Sequence, residues 1–173
     1  KAAYMGLLLN SADTAYFGID DNPDDGNGIY VNESGHTGIG TKAPEQQLSV
    51  AATSGGGHPR IGILNHVGDS EGGTLYFRKS RNTTVGSHTV VQDGDEIGVI
   101  NFSGSDGDSF EAFAAIKCKV DGTPGNSDTP GRLEFYTVDN GTNTLGDPRM
   151  VIKENGNVGI GVTPQTWNSA MSA

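Results

Sequence analysis

The sequence Gly-His-Thr-Gly-Ile-Gly at positions 35–40 returns as Gly-Asn-Val-Gly-Ile-Gly at positions 156–161. The similarity extends outward, because positions 31–34 align with 152–155 and a proline follows each copy, at Pro44 and Pro164. Each copy predicts a short strand, a Ser-Gly or Asn-Gly turn, a second strand, and a proline that ends it. The chain therefore uses one β-hairpin unit twice.

The Gly-Ile-Gly alternation gives the second strand of each hairpin a bare face. Neighbouring side chains of a strand point to opposite faces, so Gly38 and Gly40 leave one face empty while Ile39 occupies the other, as Ile160 does in the second copy. Glycine in a strand interior costs roughly 0.5–1 kcal/mol, so the bare face must permit a close backbone approach that returns more. We predict that the approaching backbone belongs to a symmetry-related copy, and that Ile39 and Ile160 are buried within a chain or between chains.

Alternating apolar positions and frequent turn dipeptides predict an all-β chain. The residues at 110–120 alternate strictly, and a helix there would place Lys117 on the same face as Phe110 and Phe113, so we predict a strand. The other predicted strands lie at 4–9, 14–19, 28–31, 47–52, 60–64, 74–79, 85–91, 96–103, 132–138 and 149–153.

Strand lengths and the glycine-rich stretch before residue 60 divide the predicted chain into four parts. Residues 1–52 are predicted to be N-terminal shaft β repeats and residues 53–59 a glycine-rich linker. Residues 60–149 are predicted to form an antiparallel β-sandwich knob, and residues 150–173 a C-terminal shaft repeat. The predicted fold class is thus a β-sandwich flanked by short glycine-rich hairpin repeats.

Composition points to association and excludes several partners. Apolar residues make up 34% of the chain and 27 residues are glycine, which predicts a thin core in an isolated monomer. The net charge is -10 with only 11 Lys and Arg, so nucleic acid is not an expected partner. No apolar run is long enough to predict a membrane-spanning segment. The single cysteine, Cys118, cannot form an intrachain disulfide and is expected to be a small buried residue.

Three segments carry a resemblance to a known family: GDEIGVINFSGSDGDSF at 94–110, DGTPGNSDTPGRLEFYTVDNG at 121–141 and RMVIKENGNVGIGVTP at 149–164. Together they resemble the repetitive shaft and knob sequences of tailed-bacteriophage tail fibres and tailspikes. The resemblance is best over 94–164 and weakest over the first thirty residues. It implies an intertwined homotrimer that is assembled in the host bacterial cytoplasm and located in the tail of the virion.

The same resemblance implies partners and a possible continuation of the chain. The implied partners are copies of the chain itself, other tail proteins of the virion and, where such fibres recognise a host, a bacterial surface glycan. Fibres of this family often continue into an endosialidase-type intramolecular chaperone domain that cleaves itself off. The residues after Pro164 resemble the lead into a further fibre segment, so Ala173 is expected to be a truncation or processing point.

No pattern in the sequence identifies catalytic, cofactor-binding or metal-binding residues. The acidic turn at 20–26 has oxygen ligands for calcium but lacks EF-hand spacing, so a solvated turn is favoured and calcium remains an alternative. Similar but weaker acidic turns contain Asp93, Asp95 and Glu96, and Asp106 and Asp108. No nucleophile elbow accompanies His36, His58, His66 or His88, and the repeat's glycine order is not that of a dinucleotide site.

Aromatic side chains are the remaining candidates for ligand contact. Tyr76, Tyr136 and Trp167 could stack on sugar rings of an envelope glycan, although packing between chains is the favoured interpretation of each. The predicted function is a non-enzymatic structural segment of a tail fibre that contributes to recognition of a surface glycan. The alternatives are a polysaccharide-depolymerising tailspike module, which requires paired carboxylates across a cleft, and a bacterial surface adhesin.

Overall fold

A computed structural model describes residues 15–17, 28–52, 58–162 and 164. The chain divides into two compact units, with the division between Thr74 and Leu75. The described residues form nine strands: β1 Ala15–Phe17, β2 Ile29–Val31, β3 Thr37–Ile39, β4 Leu48–Val50, β5 Glu96–Ser105, β6 Phe110–Val120, β7 Gly131–Thr137, β8 Met150–Ile152 and β9 Val158–Ile160. The prediction of an all-β chain is confirmed, and the described ranges hold no helix suited to crossing a bilayer.

The first unit contains a sheet of four short strands in the order β1-β2-β3-β4. Neighbouring strands are antiparallel, except that β4 runs parallel to β3. Tyr30 of β2 lies opposite Gly38 of β3, and its side chain is the largest that is fully buried among the described residues.

The second unit contains a five-stranded antiparallel sheet in the order β5-β6-β7-β8-β9. Its longest strand, β6, matches the strand predicted at 110–120. The ladder between β5 and β6 has irregularities between Glu96 and Gly98 and between Phe102 and Ser103. Because each strand neighbours the next one in sequence, the sheet is a simple meander.

The duplicated sequence folds into duplicated hairpins. Ile29 pairs with Ile39 in the first hairpin, and Met150 pairs with Ile160 in the second, at the equivalent position of the ladder. Each turn also contains an equivalent hydrogen bond. The amide nitrogen of residue 32 donates to the carbonyl oxygen of residue 36 in the first, and that of residue 153 donates to that of residue 157 in the second, both at 3.0 Å. Gly35 (φ 77°) and Gly156 (φ 81°) occupy the left-handed region that the turns require. The prediction of one hairpin unit used twice is confirmed.

The chain itself fills the bare glycine face of each hairpin. A Cβ atom on Gly38 would lie 2.2 Å from the carbonyl oxygen of Thr41, and one on Gly159 would lie 2.2 Å from the carbonyl oxygen of Val162. In both hairpins the backbone that approaches the glycine therefore belongs to the turn just after the strand. The prediction that a symmetry-related copy approaches these glycines is wrong, because the chain's own turn already occupies that space.

The isoleucine face is the open one. Ile39 is 42% exposed and Ile160 is 76% exposed in the single chain. The prediction that these side chains are buried within a chain is therefore wrong. Their burial between chains stays a prediction.

The predicted sandwich does not form within one chain. Residues 60–149 contribute β5, β6 and β7 to a single sheet, which continues into β8 and β9 of the segment 150–173. The segments 60–64, 74–79 and 85–91 are not strands, and their large apolar side chains are exposed, because nothing in the described chain forms a ladder with them. The predicted four-part division stays a prediction, and residues 53–57 of the predicted linker lie outside the described residues.

Replacing Gly159 with alanine should destabilise the second hairpin. The new methyl group would meet the backbone of Val162 at a distance that no side-chain rotation can relieve, so we expect a loss of about 1–3 kcal/mol in the free energy of unfolding. Gly146→Ala is the matched control, because a Cβ atom at Gly146 meets no atom within 4 Å. Chemical denaturation of both variants measures the difference, and equal stability would contradict this account of Gly159.

Candidate functional site: an uncovered apolar sheet face

One face of the five-stranded sheet is apolar across all five strands. The ladder aligns two complete rows on this face, Gly98, Cys118, Leu133, Ile152 and Val158, and Ile100, Ile116, Phe135, Met150 and Ile160. Residues that pair across a ladder point to the same side of the sheet, so these ten positions share one surface. We call this surface the apolar face.

The opposite face carries charged and polar side chains. Its central row contains Lys117, Glu134, Val151 and Gly159, and the neighbouring rows add Lys119, Arg132 and Tyr136. Glu134 is only 5% exposed and Tyr136 only 8% exposed, whereas Ile100, Leu133 and Val158 on the apolar face are exposed. The usual arrangement of a one-sided sheet is thus inverted in the single chain, because the polar face is covered and the apolar face is open.

Part of the apolar face forms a groove of about 300 Å³ beside β5. The segment that contains Leu75 and Phe77 forms one wall, and Cys118 and Leu133 contribute to the floor. Phe77 lies directly over Gly98, since its Cβ atom is 2.5 Å from where a Cβ atom on that glycine would be. Cys118 is half-buried, so the reactivity of its thiol depends on whether this groove is covered.

An ion-pair cluster, defined as Lys119, Asp121, Arg132, Glu134 and Lys153 together with Tyr136, closes the polar face. The Glu134 carboxylate accepts hydrogen bonds from Arg132 Nε at 2.7 Å and from the Tyr136 hydroxyl, and lies 3.0 Å from Lys119 Nζ. The guanidinium of Arg132 also donates to Asp121 at 3.1 Å, and Lys153 Nζ donates to the same carboxylate oxygen at 2.8 Å. Every buried charge of the cluster therefore has a partner in its own chain.

The surroundings lower the pKa values of the two acids in the cluster and raise the pKa of its tyrosine. Burial alone would raise the pKa of Asp121, but hydrogen bonds from Lys153, Glu154 and Arg132 outweigh it and hold that pKa well below its ordinary value. The pKa of Glu134 is lowered in the same way, because Tyr136, Arg132 and Lys119 outweigh its burial. Burial and the neighbouring Glu134 carboxylate raise the pKa of Tyr136. All three groups keep their ordinary charge at neutral pH.

The aromatic candidates for sugar stacking have different surroundings. Tyr136 is buried, Lys117 Nζ lies 5.5 Å from its ring centroid, and its hydroxyl is bonded to Glu134, so it cannot serve as a stacking platform. Tyr76 is exposed, with the guanidinium of Arg78 4.3 Å from its ring centroid. Trp167 lies outside the described residues.

The carboxylates of the acidic turns bind groups of the same chain. Asp95 pairs with Arg81 at 2.7 Å, Asp93 accepts from the amide of Gly122 at 2.8 Å, and Asp106 accepts from the amide of Asp108 at 3.0 Å. The region 58–162 and the other described residues bring together no three His, Cys, Asp or Glu side chains that could hold a metal ion. The acidic turn at 20–26 lies outside the described residues.

A second cavity, of about 510 Å³, lies at the end of the sheet near the β5–β6 turn. Carboxylates of Glu111 and Asp139, the amides of Asn140 and Asn143, and the exposed ring of Phe113 line it. We call it the polar pocket. Sequence reasoning missed it, because its residues come from two connections that are distant in the sequence.

The fold is similar to that of two solved structures. One is the carboxy-terminal domain of the bacteriophage T5 L-shaped tail fibre with its intramolecular chaperone domain, with a TM-score of 0.59 and 16% identity over 90% of this chain and 50% of that chain. The other is the carboxy-terminal domain of the same fibre, with a TM-score of 0.60 and 15% identity over 96% of this chain and 80% of that chain. This chain spans half the length of the chaperone-containing chain.

The other comparisons are negative: no family model matches the chain and no curated protein is similar at a significant level. The similarity to the two solved structures confirms, at the level of the fold, the resemblance to tail fibres that the sequence predicts.

Acid should destabilise the protein through the ion-pair cluster. The pKa values of Asp121 and Glu134 are lowered in the folded state. Their contribution to the free energy of unfolding is therefore complete above the ordinary pKa values of 3.8 and 4.5, and it is lost as the pH falls from these values through the lowered ones. Asp121→Asn should cost about 1–3 kcal/mol at pH 7, because Arg132 and Lys153 lose their charged partner.

The cost of the same substitution should begin to fall once the pH drops below the ordinary pKa of Asp121, so it should be smaller at pH 3 than at pH 7. Thermal melts of Asp121→Asn and the parent chain at both pH values measure the difference. Asp108→Asn is the control, since that exposed side chain makes no hydrogen bond with any described residue. A penalty that is equal at pH 7 and pH 3 would contradict the role of the Asp121 charge.

Proposed function

We propose that the chain is a structural segment of a phage tail fibre, in which three copies bring their apolar faces together about a common axis. The observation that carries this proposal is the apolar face itself, with two complete rows across five strands that the described chain covers only beside Gly98. Contiguous exposed apolar surface of this kind marks a protein interface. The fold similarity to the tail-fibre domain supports the same function.

Burial of the apolar face supplies the stability that the single chain lacks. Covering a large apolar side chain is worth about 1.5–3 kcal/mol, and Ile100, Leu133, Val158 and Ile160 are all available for it. The first unit has the same open side, because Ile29, Ile39 and Val50 form a row in which both isoleucines are exposed. A fibre built from repeated hairpins would therefore use one kind of contact along its length.

The polar face fits the outside of such a fibre. Its charges are paired within the chain, so it needs no partner protein to compensate them. The net charge of -10 keeps an assembled surface of this kind soluble. In this arrangement the apolar faces meet at the axis and the ion-pair clusters lie outside, so three sheets provide the layers that one chain lacks.

The proposal places the protein in the tail of the virion, bound to other tail proteins, and assigns it no catalytic activity. A tailspike depolymerase is the competing function. Incubating the assembled protein with a panel of capsular polysaccharides distinguishes them, because a fall in polymer size would contradict a purely structural role. Detection of the chain in purified virions would separate the fibre from a bacterial adhesin.

A contribution to recognition of a surface glycan is supported by the polar pocket. An exposed phenyl ring beside carboxylate and amide groups offers the stacking and hydrogen bonding that a sugar uses. Phe113→Ala should weaken binding to a glycan at least tenfold. Phe110→Ala, an exposed phenylalanine of the same strand that does not line the pocket, should leave it unchanged. Equal binding by both variants would remove the pocket from this role.

The assembled protein should have three times the mass of the chain, about 54 kDa from 18.0 kDa. Ile160→Asp should dissociate it, because a carboxylate at the centre of the apolar interface costs several kcal/mol. Asn155→Asp adds the same charge on the exposed turn of the same hairpin and should leave the mass unchanged. Light scattering measures both variants, and a stable monomer of the parent chain at micromolar concentration would end the proposal.

The single thiol gives an independent measurement. Cys118 lies on the apolar face, so it should react slowly with a thiol reagent in the assembled protein and rapidly in Ile160→Asp. Asn155→Asp should react as slowly as the parent chain. Fast labelling of Cys118 in a protein of trimer mass would show that a different surface forms the interface.

A further inference from the structure

Strand β5 leaves one edge of the second sheet without a partner. It spans Glu96–Ser105, ten residues, and pairs only with β6 among the described strands. The outward-facing amides and carbonyls of an edge strand form a template for another strand. An edge of this length and apolar content needs a cover to prevent indiscriminate pairing.

A segment of the same unit, residues 75–79, lacks a strand to pair with. Residues 75–79 are exposed and belong to no strand, and no backbone–backbone hydrogen bond joins any residue from 58 to 80 to the rest of the described chain. Sequence alternation predicts a strand there, yet the single chain provides no ladder for it. Apolar residues such as Leu75 and Tyr76 make permanent exposure to water unfavourable.

The segment already has the side-chain alternation of a strand. The Arg78 guanidinium lies 4.3 Å from the ring centroid of Tyr76, so these two side chains share one side. Phe77 points the other way and lies over Gly98 on the apolar face. This alternation with a period of two is the conformation that a strand needs before it joins a sheet.

The chain does not pair this segment with its own edge. Phe77 holds the segment over the surface of the sheet at Gly98, whereas a strand added to the edge must lie beside β5 in the plane of the sheet. The unpaired edge and the unpaired segment therefore belong to one chain but do not satisfy each other. A second copy of the chain supplies both missing partners at once.

We propose that residues 75–79 of each copy add as a strand to the β5 edge of the neighbouring copy. The inference rests on the proposed trimer and specifies how its chains are joined. Each copy gives one segment and receives one, so in a closed ring of copies every β5 edge has a partner. The neighbouring copies then share a backbone ladder in addition to the buried apolar faces.

Hydrogen exchange on the assembled full-length chain tests the shared ladder. We expect alternate amides within residues 75–79, those that face the neighbouring β5, to exchange at least 100-fold more slowly than the amides of residues 66–71, which are also exposed and outside any strand. A protein of trimer mass in which both segments exchange equally fast would overturn the shared ladder and leave the trimer standing. A protein of monomer mass would overturn both.

Proline variants test the same ladder through its hydrogen bonds. Amides of adjacent residues point to opposite sides of a strand, so either Leu75→Pro or Tyr76→Pro removes a donor that faces the neighbouring β5. We expect one of the two to lower the trimer fraction at least tenfold at a concentration where the parent chain is half dissociated.

Alanine controls separate the backbone effect from the loss of a side chain. Leu75→Ala and Tyr76→Ala keep both amides, so each proline variant should be compared with alanine at the same position. In the single chain neither amide makes a backbone hydrogen bond, so proline has no ladder bond to break there. Assembly by both proline variants that equals that of their alanine controls would overturn the proposal.

Discussion

The structure depends on one constraint: the five-stranded sheet has an apolar face that its own chain does not cover. Two rows of apolar residues cross all five strands on this face, and none of their members is fully buried in the single chain. A chain with 27 glycines and 34% apolar residues has little material for a second layer. The proposed association of copies would resolve this constraint with the residues available.

The ion-pair cluster on the other face follows from the same constraint. A sheet that presents its apolar side to other chains must satisfy its polar side without their help. Glu134 and Asp121 are enclosed by Lys119, Arg132 and Lys153, so their charges are compensated within one chain. The cluster thereby makes the two faces of the sheet unequal. Placing the charged face in the interface between copies would bury charges against apolar side chains.

The glycines of the repeated hairpin have a local role that serves the same arrangement. Gly38 and Gly159 let the chain turn back over its own strand, with a carbonyl oxygen in the space of a side chain. This turn fills one side of the hairpin and leaves the isoleucine side open. Both units therefore present the same kind of surface, although their sheets differ in strand number and in the presence of a parallel pair.

The sequence by itself determined the features that depend on neighbouring residues. Alternation predicted the strand at 110–120, glycine turns predicted the two hairpins, and the repeat predicted that both have the same geometry. These features form over a few residues, so the local pattern contains the information. The resemblance of the segments at 94–164 to tail fibres was likewise readable, and the fold comparison agrees with it.

Only the tertiary structure decided which surface is open. The apolar rows join positions from Gly98 to Ile160, and their alignment depends on the register of four ladders that no local pattern fixes. For the same reason the sequence suggested a sandwich where one sheet forms. It also offered Tyr136 as a ring that packs between chains or stacks on a sugar, whereas the register brings Glu134 and Lys117 of the same chain against it. Strand pairing at long range, which the single sequence does not display, determines the candidate site.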